Sequence, residues 1–202
     1  MIEKEEYIKD YANRRGVPII REESHKMLQE IVNKLQPKNI LEIGTAVGYS
    51  GMLMLDIAKN AKLTTIELDY NKVLEAQENF AQAGMQERVN IIHGDCMEQV
   101  SLMVAEGKHD KHFDFVFLDG PKAQYVKILE SLLMLTKSGG TILADNVLFR
   151  GFVRGDKTEM PKRFKTLVKR LENFLDTVET HPDIQSYKLY ELEDGMLEFK
   201  VK

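Results

Sequence analysis

Two aspartates and an asparagine stand where apolar runs of this 202-residue chain stop. Asp119 ends "FDFVFLD", and Asp145-Asn146 closes "TILADN". If those runs are neighbouring strands, three hard oxygen donors converge at one rim. Such a set suits Mg2+, Mn2+ or Ca2+ rather than zinc. Taken alone, either aspartate would read as the cap of a following helix or turn. Lys122 lies three residues beyond Asp119 in "LDGPKAQY", with Pro121 restricting the backbone between them. Beside a divalent cation a second positive charge is disfavoured, so a neutral amine becomes accessible as a base. These parts describe one reaction. A metal chelates two adjacent substrate oxygens and acidifies a hydroxyl, Lys122 takes the proton, and the oxyanion attacks an electrophile held in line.

The source of the electrophile is suggested by "LEIGTAVGYSG", Leu41–Gly51. Gly44 permits a sharp turn and close approach of a ligand to the backbone, while Gly48 and Gly51 permit tight helix packing. Glu67 follows at the end of the next apolar run, where a carboxylate can accept hydrogen bonds from two ribose hydroxyls. Asp95, in "IIHGDCM", is placed to meet an adenine amino group. Dinucleotide-binding loops require G-x-G-x-x-G, but the spacing here is G-x-x-x-G-x-x-G, with Glu42 bringing a carboxylate to the loop. A negative side chain suits the ammonium of a methionine moiety better than a pyrophosphate. The expected cofactor is therefore S-adenosylmethionine, and the expected product is a methyl ether.

The elements that must position these residues follow from periodicity. Apolar runs of strand length at Ile40–Ile43, Leu63–Leu68, Val89–His93, Phe113–Leu118 and Thr141–Ala144 alternate with helical patterns. Their continuous apolar character predicts parallel strands in a doubly wound α/β sheet, whose ligands bind outside the carboxyl ends of the strands. After a helical stretch at Lys162–Val178, two strand-like runs, Ser186–Glu191 and Met196–Val201, predict an antiparallel hairpin completing the sheet. Residues 1–36 read as amphipathic helix covering the ligand-binding edge of a single domain spanning 1–202. With one cysteine, Cys96, no intrachain disulfide is possible, and His109 and His112 in a polar loop lack zinc spacing. No run of eighteen apolar residues and no hydrophobic signal core occur, so a cytoplasmic location is expected.

With those residues in place, the chain resembles the metal-dependent O-methyltransferase family that contains catechol and caffeoyl-CoA O-methyltransferases. The resemblance runs through "LEIGTAVGYSG", "TIELD", "HGDC", "FLDGPK", "ILADNVLFRG" and "LEDGMLEF". It implies a seven-stranded class I methyltransferase fold. It also implies that Glu42, Gly44, Tyr49, Ser50, Glu67, Asp95, Cys96 and Asp119 line the S-adenosylmethionine site. By the same likeness Asp119, Asp145 and Asn146 hold the metal, Lys122 is the base, and a homodimer is expected. The chain departs from other members at Gly120-Pro121. Within the family, "DNVLFRGFV" is most similar to a bacterial branch that methylates 5-hydroxyuridine at the tRNA wobble position.

Charge distribution bears on that substrate. The whole chain carries −4, yet between Arg150 and Arg170 eight basic residues face only Asp156 and Glu159, a local excess of +6. The eight are Arg150, Arg154, Lys157, Lys162, Arg163, Lys165, Lys169 and Arg170. Such a strip beside the metal suits a phosphate backbone, and Arg14, Arg15 and Arg21 would extend it. The competing readings are a solvated helix face, or basic residues that meet the phosphates of a CoA ester. The alternative substrates are small catechols or caffeoyl-CoA-type esters.

Overall fold

The computed structural model describes residues 22–107 and 109–202. Within the expected N-terminal helical segment the structure describes α1, Glu22–Leu35. The rest of that segment, with Arg14, Arg15 and Arg21, lies outside the described residues. Seven strands form one sheet in the order β3-β2-β1-β4-β5-β7-β6. By contact density the chain divides into two compact units that meet in sequence at Gln99 and Val100.

In the first unit, β1 (Asn39–Ile43), β2 (Lys62–Glu67) and β3 (Val89–His93) pair in parallel. Between them run α2 (Tyr49–Ile57) and α3 (Tyr70–Gln82); α4 (Cys96–Glu106), which follows β3, contains the boundary between the units. Ile40, Leu41 and Ile43 are fully buried, as the continuous apolar run predicted. The edge strand β3 differs: none of its residues is buried, because nothing pairs with its outer side. β2 stops at Glu67, so Leu68 is not a core residue; it stands 66% exposed. α1 buries Leu28, Ile31 and Val32, a helical spacing that presents one apolar stripe, and it packs on α2.

The second unit holds β4 (Phe113–Leu118), α5 (Tyr125–Leu135), β5 (Thr136–Asp145), α6 (Lys165–Thr180), β6 (Ile184–Tyr190) and β7 (Met196–Val201). β4 and β5 are parallel, whereas β7 pairs antiparallel with both β5 and β6. The predicted hairpin is therefore present, with its later strand on the inside and β6 at the edge. β5 begins five residues earlier than expected, passing through Gly139 and Gly140 before its buried part. Among the described residues no helix is long and apolar enough to cross a membrane.

Candidate functional site

The first-unit cluster is built on the turn between β1 and α2. The backbone N–H groups of Gly44 and Thr45 donate to the Ile66 carbonyl, at 3.0 and 3.3 Å, which holds the turn over the end of β2. Gly48, at φ +85°, caps α2 in a conformation that L side chains rarely adopt. A Cβ on Gly51 would lie 2.7 Å from Leu63 Cδ2 and 2.9 Å from Phe80 Cζ, so the helix start is seated on buried Phe80. Asn79 donates to the Val47 carbonyl from below, at 2.9 Å.

Carboxylates organise the same turn. Glu67 accepts the Ala46 N–H on one oxygen and the Asp69 N–H on the other, each at 2.9 Å. Its orientation is thus fixed by backbone donors, and lone pairs remain for further hydroxyls. Glu42 is fully buried, accepting the Ser50 hydroxyl at 2.5 Å and the Thr65 hydroxyl at 2.6 Å. Thr45 and Thr65 hydroxyls lie 2.6 Å apart, extending the network into the turn. In this conformation Glu42 braces the loop from beneath rather than presenting its carboxylate at a surface. Asp95 uses Oδ1 to accept the Met97 N–H at 2.9 Å, so it caps α4. Burial, with help from the Asp95 charge, pushes the Cys96 thiol up to about 11, leaving it neutral at physiological pH. Tyr49 is buried and its hydroxyl lies 3.2 Å from His25 Nε2, with the two rings stacked at 5.6 Å. His25, Thr45, Thr65, Asn79 and Phe80 had carried no signal in the sequence. Each supports the loop by a contact across elements, which spacing does not reveal.

The second-unit cluster sits at the carboxyl ends of β4 and β5. The Tyr125 hydroxyl, fully buried, lies 3.0 Å from the Leu118 carbonyl and 3.2 Å from the Asp145 carbonyl. One phenol thereby ties together the strand ends that carry Asp119 and Asp145. Lys122 Nζ stands 3.4 Å from Asp119 Oδ1. Burial raises the Asp119 carboxyl above the ordinary carboxylate range, opposed by the Lys122 charge. Asp145, only 2% exposed, is pushed up to about 7, first by burial and then by the charge of Asp119. Tyr125 brings the two strand ends together, and the Asp119 charge acts on Asp145 there. Asn146 adopts φ +55°, and its N–H donates to Asp145 Oδ1 at 2.7 Å.

Among the described residues no three His, Cys, Asp or Glu side chains gather as a metal site. The expected donors are two carboxylates with an amide as third member, a hard oxygen set suited to a divalent cation whose charge would offset the burial of Asp145 and the Asp119 charge acting on it. His109 and His112 pack against Phe113 at ring distances of 5.8 and 5.1 Å.

Comparison with known proteins then fixes the family. An O-methyltransferase family model matches residues 4–200. The chain belongs to the O-methyltransferase family. Its enzymes take their methyl group from S-adenosylmethionine, and the sheet order observed here is the class I methyltransferase fold. A catechol O-methyltransferase of Niastella koreensis is 36% identical over 137 residues, 67% of this chain and 61% of that protein. The tapetum-specific methyltransferase 1 of Arabidopsis thaliana is 31% identical over 188 residues, covering 90% of this chain and 77% of the relative. The crystal structure of a Bacillus cereus O-methyltransferase in complex with SAH shares the fold. Its TM-score is 0.86 at 24% identity, over 99% of this chain and 91% of that one.

The expected basic strip is only partly available. Arg154 is bonded to Glu179 at 2.6 Å and to Asp176 at 3.0 Å, and Lys157 is paired with Glu172. All three acids belong to α6 and lie beyond the stretch whose charge suggested the strip. Arg150 and Arg163 have a different environment, close to the rings of Phe149 and Phe164.

Proposed function

We propose that this O-methyltransferase is divalent-metal-dependent and acts on an acceptor with two oxygens on adjacent carbons, 5-hydroxyuridine at the tRNA wobble position. The observation that carries the metal-dependent reading is buried Asp145 beside half-buried Asp119 at the neighbouring ends of β5 and β4, with Lys122 3.4 Å from Asp119. A divalent cation at that pair supplies chelation of the acceptor and acidification of its hydroxyl. Asp119, Asp145 and Asn146 are the residues that would hold it.

The chain's own groups do the rest. Lys122, 3.4 Å from Asp119, is positioned to accept the acceptor's hydroxyl proton on Nζ. Glu67, fixed by two backbone donors, orients the ribose of S-adenosylmethionine, and the Glu42 network holds the loop that approaches its methionine end. Asp95 is placed for the adenine, and Cys96, being neutral, contributes packing rather than nucleophilicity. The acceptor oxygen attacks the methyl carbon as the carbon–sulfur bond breaks and S-adenosylhomocysteine leaves as a neutral thioether, so the rate comes from positioning and acidification. 5-Hydroxyuracil carries O4 and O5 on neighbouring carbons and meets the same chelation requirement as a catechol.

Incubation with hydroxyuridine-containing tRNA and labelled cofactor should yield methoxyuridine, and EDTA should abolish the transfer until Mg2+ is restored. No transfer to tRNA, together with robust turnover of a catechol, would overturn the tRNA reading. The second reading, small catechols or caffeoyl-CoA-type esters, is supported by the catechol O-methyltransferase relative. A side-by-side kinetic comparison separates the two.

A further inference from the structure

The geometry points to Arg150 and Arg163, arranged about Phe164, as an anion-binding site for phosphate groups attached to the methyl acceptor. This deepens the substrate reading above and rests on it. The Arg150 guanidinium carbon lies 5.5 Å from the Phe164 ring centre and that of Arg163 lies 4.8 Å from it. Phe149 meets Phe164 edge to face at 5.2 Å, closing the cluster. Among the described residues neither arginine has an acidic partner, unlike Arg154 and Lys157. Contact with a ring engages the face of a guanidinium and leaves its edge N–H donors for outward bonding. A fork of such donors matches phosphate oxygens.

The location supports the assignment. Arg150 is four residues beyond Asn146, on the segment that leaves β5. Its backbone is held: the Arg150 N–H donates to Asp194 Oδ1 at 2.8 Å, and the Leu148 N–H donates to the Asp194 carbonyl at 2.7 Å. Phe149 and Arg150 both occupy left-handed backbone conformations, at φ 41° and 57°. Non-glycine residues there cost roughly 1–3 kcal/mol each and persist when their surroundings over-determine them. The arginine is thus presented by a fixed loop instead of a solvated helix face. Four of the eight basic residues thus fall into two kinds: Arg154 and Lys157 strap the loop to α6, while Arg150 and Arg163 face the ligand.

The shared chemistry, phosphate near the reacting ring, could come from an RNA backbone or from the phosphates of a CoA ester. Fluorescence anisotropy with a labelled single-stranded RNA, and calorimetric titration with caffeoyl-CoA, should be measured across a salt series. The proteins compared are the parent, Arg150→Ala/Arg163→Ala, Arg154→Ala and Lys157→Ala. The double variant should lose about tenfold or more in affinity and flatten the salt slope by about 1.4, as expected for two lost contacts to a single strand. Its melting temperature should stay near the parent's. Arg154→Ala and Lys157→Ala should instead lower the melting temperature and keep the slope. An unchanged slope in the double variant, or an equal loss in Arg154→Ala and Lys157→Ala, overturns the site. A loss confined to caffeoyl-CoA, with RNA unbound by the parent, keeps the anion site and removes the tRNA reading.

Discussion

Lys122 and its neighbours carry the sharpest test. Lys122→Ala should lower turnover by about 10²–10⁴-fold, the usual worth of a positioned base, while cofactor affinity measured by calorimetry stays close to the parent's. Equal loss of cofactor binding would assign Lys122 a structural role. Asp145 adds a pH dependence. An unfolded aspartate titrates near ~3.9, whereas the buried carboxyl is pushed up to about 7. The neutral acid therefore stabilises the metal-free fold fully below the unfolded value, and that contribution is lost as pH rises through 7. A bound cation requires the carboxylate, so Mg2+ should raise the melting temperature more at about pH 8 than at about pH 6. Scanning calorimetry at both pH values checks this, and equal shifts would count against a metal at Asp145. Asp119, Asp145 and Asn146 could be picked out beforehand because charged and amide groups ending apolar runs stand out against their surroundings. Tyr125 could not, since a tyrosine in a helix with Ile128, Leu129 and Leu132 looks like any other core aromatic. Its role depends on two carbonyls from strands that only the fold brings together.

The elements explain why the cofactor loop tolerates little change. Gly51 opens α2 against Leu63 and Phe80, and Gly48 lies 3.0 Å, by its absent Cβ, from the same phenyl ring. Gly51→Ala should cost about 1–3 kcal/mol by overpacking and weaken S-adenosylmethionine binding in parallel. Urea unfolding with a cofactor titration reads both, and a variant as stable as the parent would show that Phe80 gives way. The glycine spacing distinguished this loop from a dinucleotide turn, and that much was visible in sequence. The hydroxyl partners of Glu42 were not, because Ser50 and Thr65 stand eight and twenty-three residues away in sequence. Strand and helix order was legible because five compact apolar runs alternate with amphipathic ones. Boundaries slipped where exposure, rather than residue type, decides them, as at Leu68 and at the glycine-containing start of β5.

For the whole molecule, charge is distributed by tertiary pairing more than by sequence. A basic strip counted along the chain overstates what a ligand meets, because Glu172, Asp176 and Glu179 of α6 engage two of its members. Transfer to tRNA should therefore weaken with added salt, while transfer to an uncharged catechol should hold, and initial rates over a salt series would show it. Equal salt sensitivity for both acceptors would argue that the charges serve only solubility.

The strand order has a consequence for how the protein is made. β5 carries Asp145, yet its partner β7 is synthesised roughly fifty residues later, after α6 and β6. Until Met196–Val201 has emerged from the ribosome, one side of β5 is an unpaired edge able to recruit other chains. The turn at Asp194-Gly195 that grips the loop after Asn146 arrives at the same late stage. Nascent chains stalled short of β7 should be aggregation-prone and leave the end of β5 at Asp145 unpaired on that side.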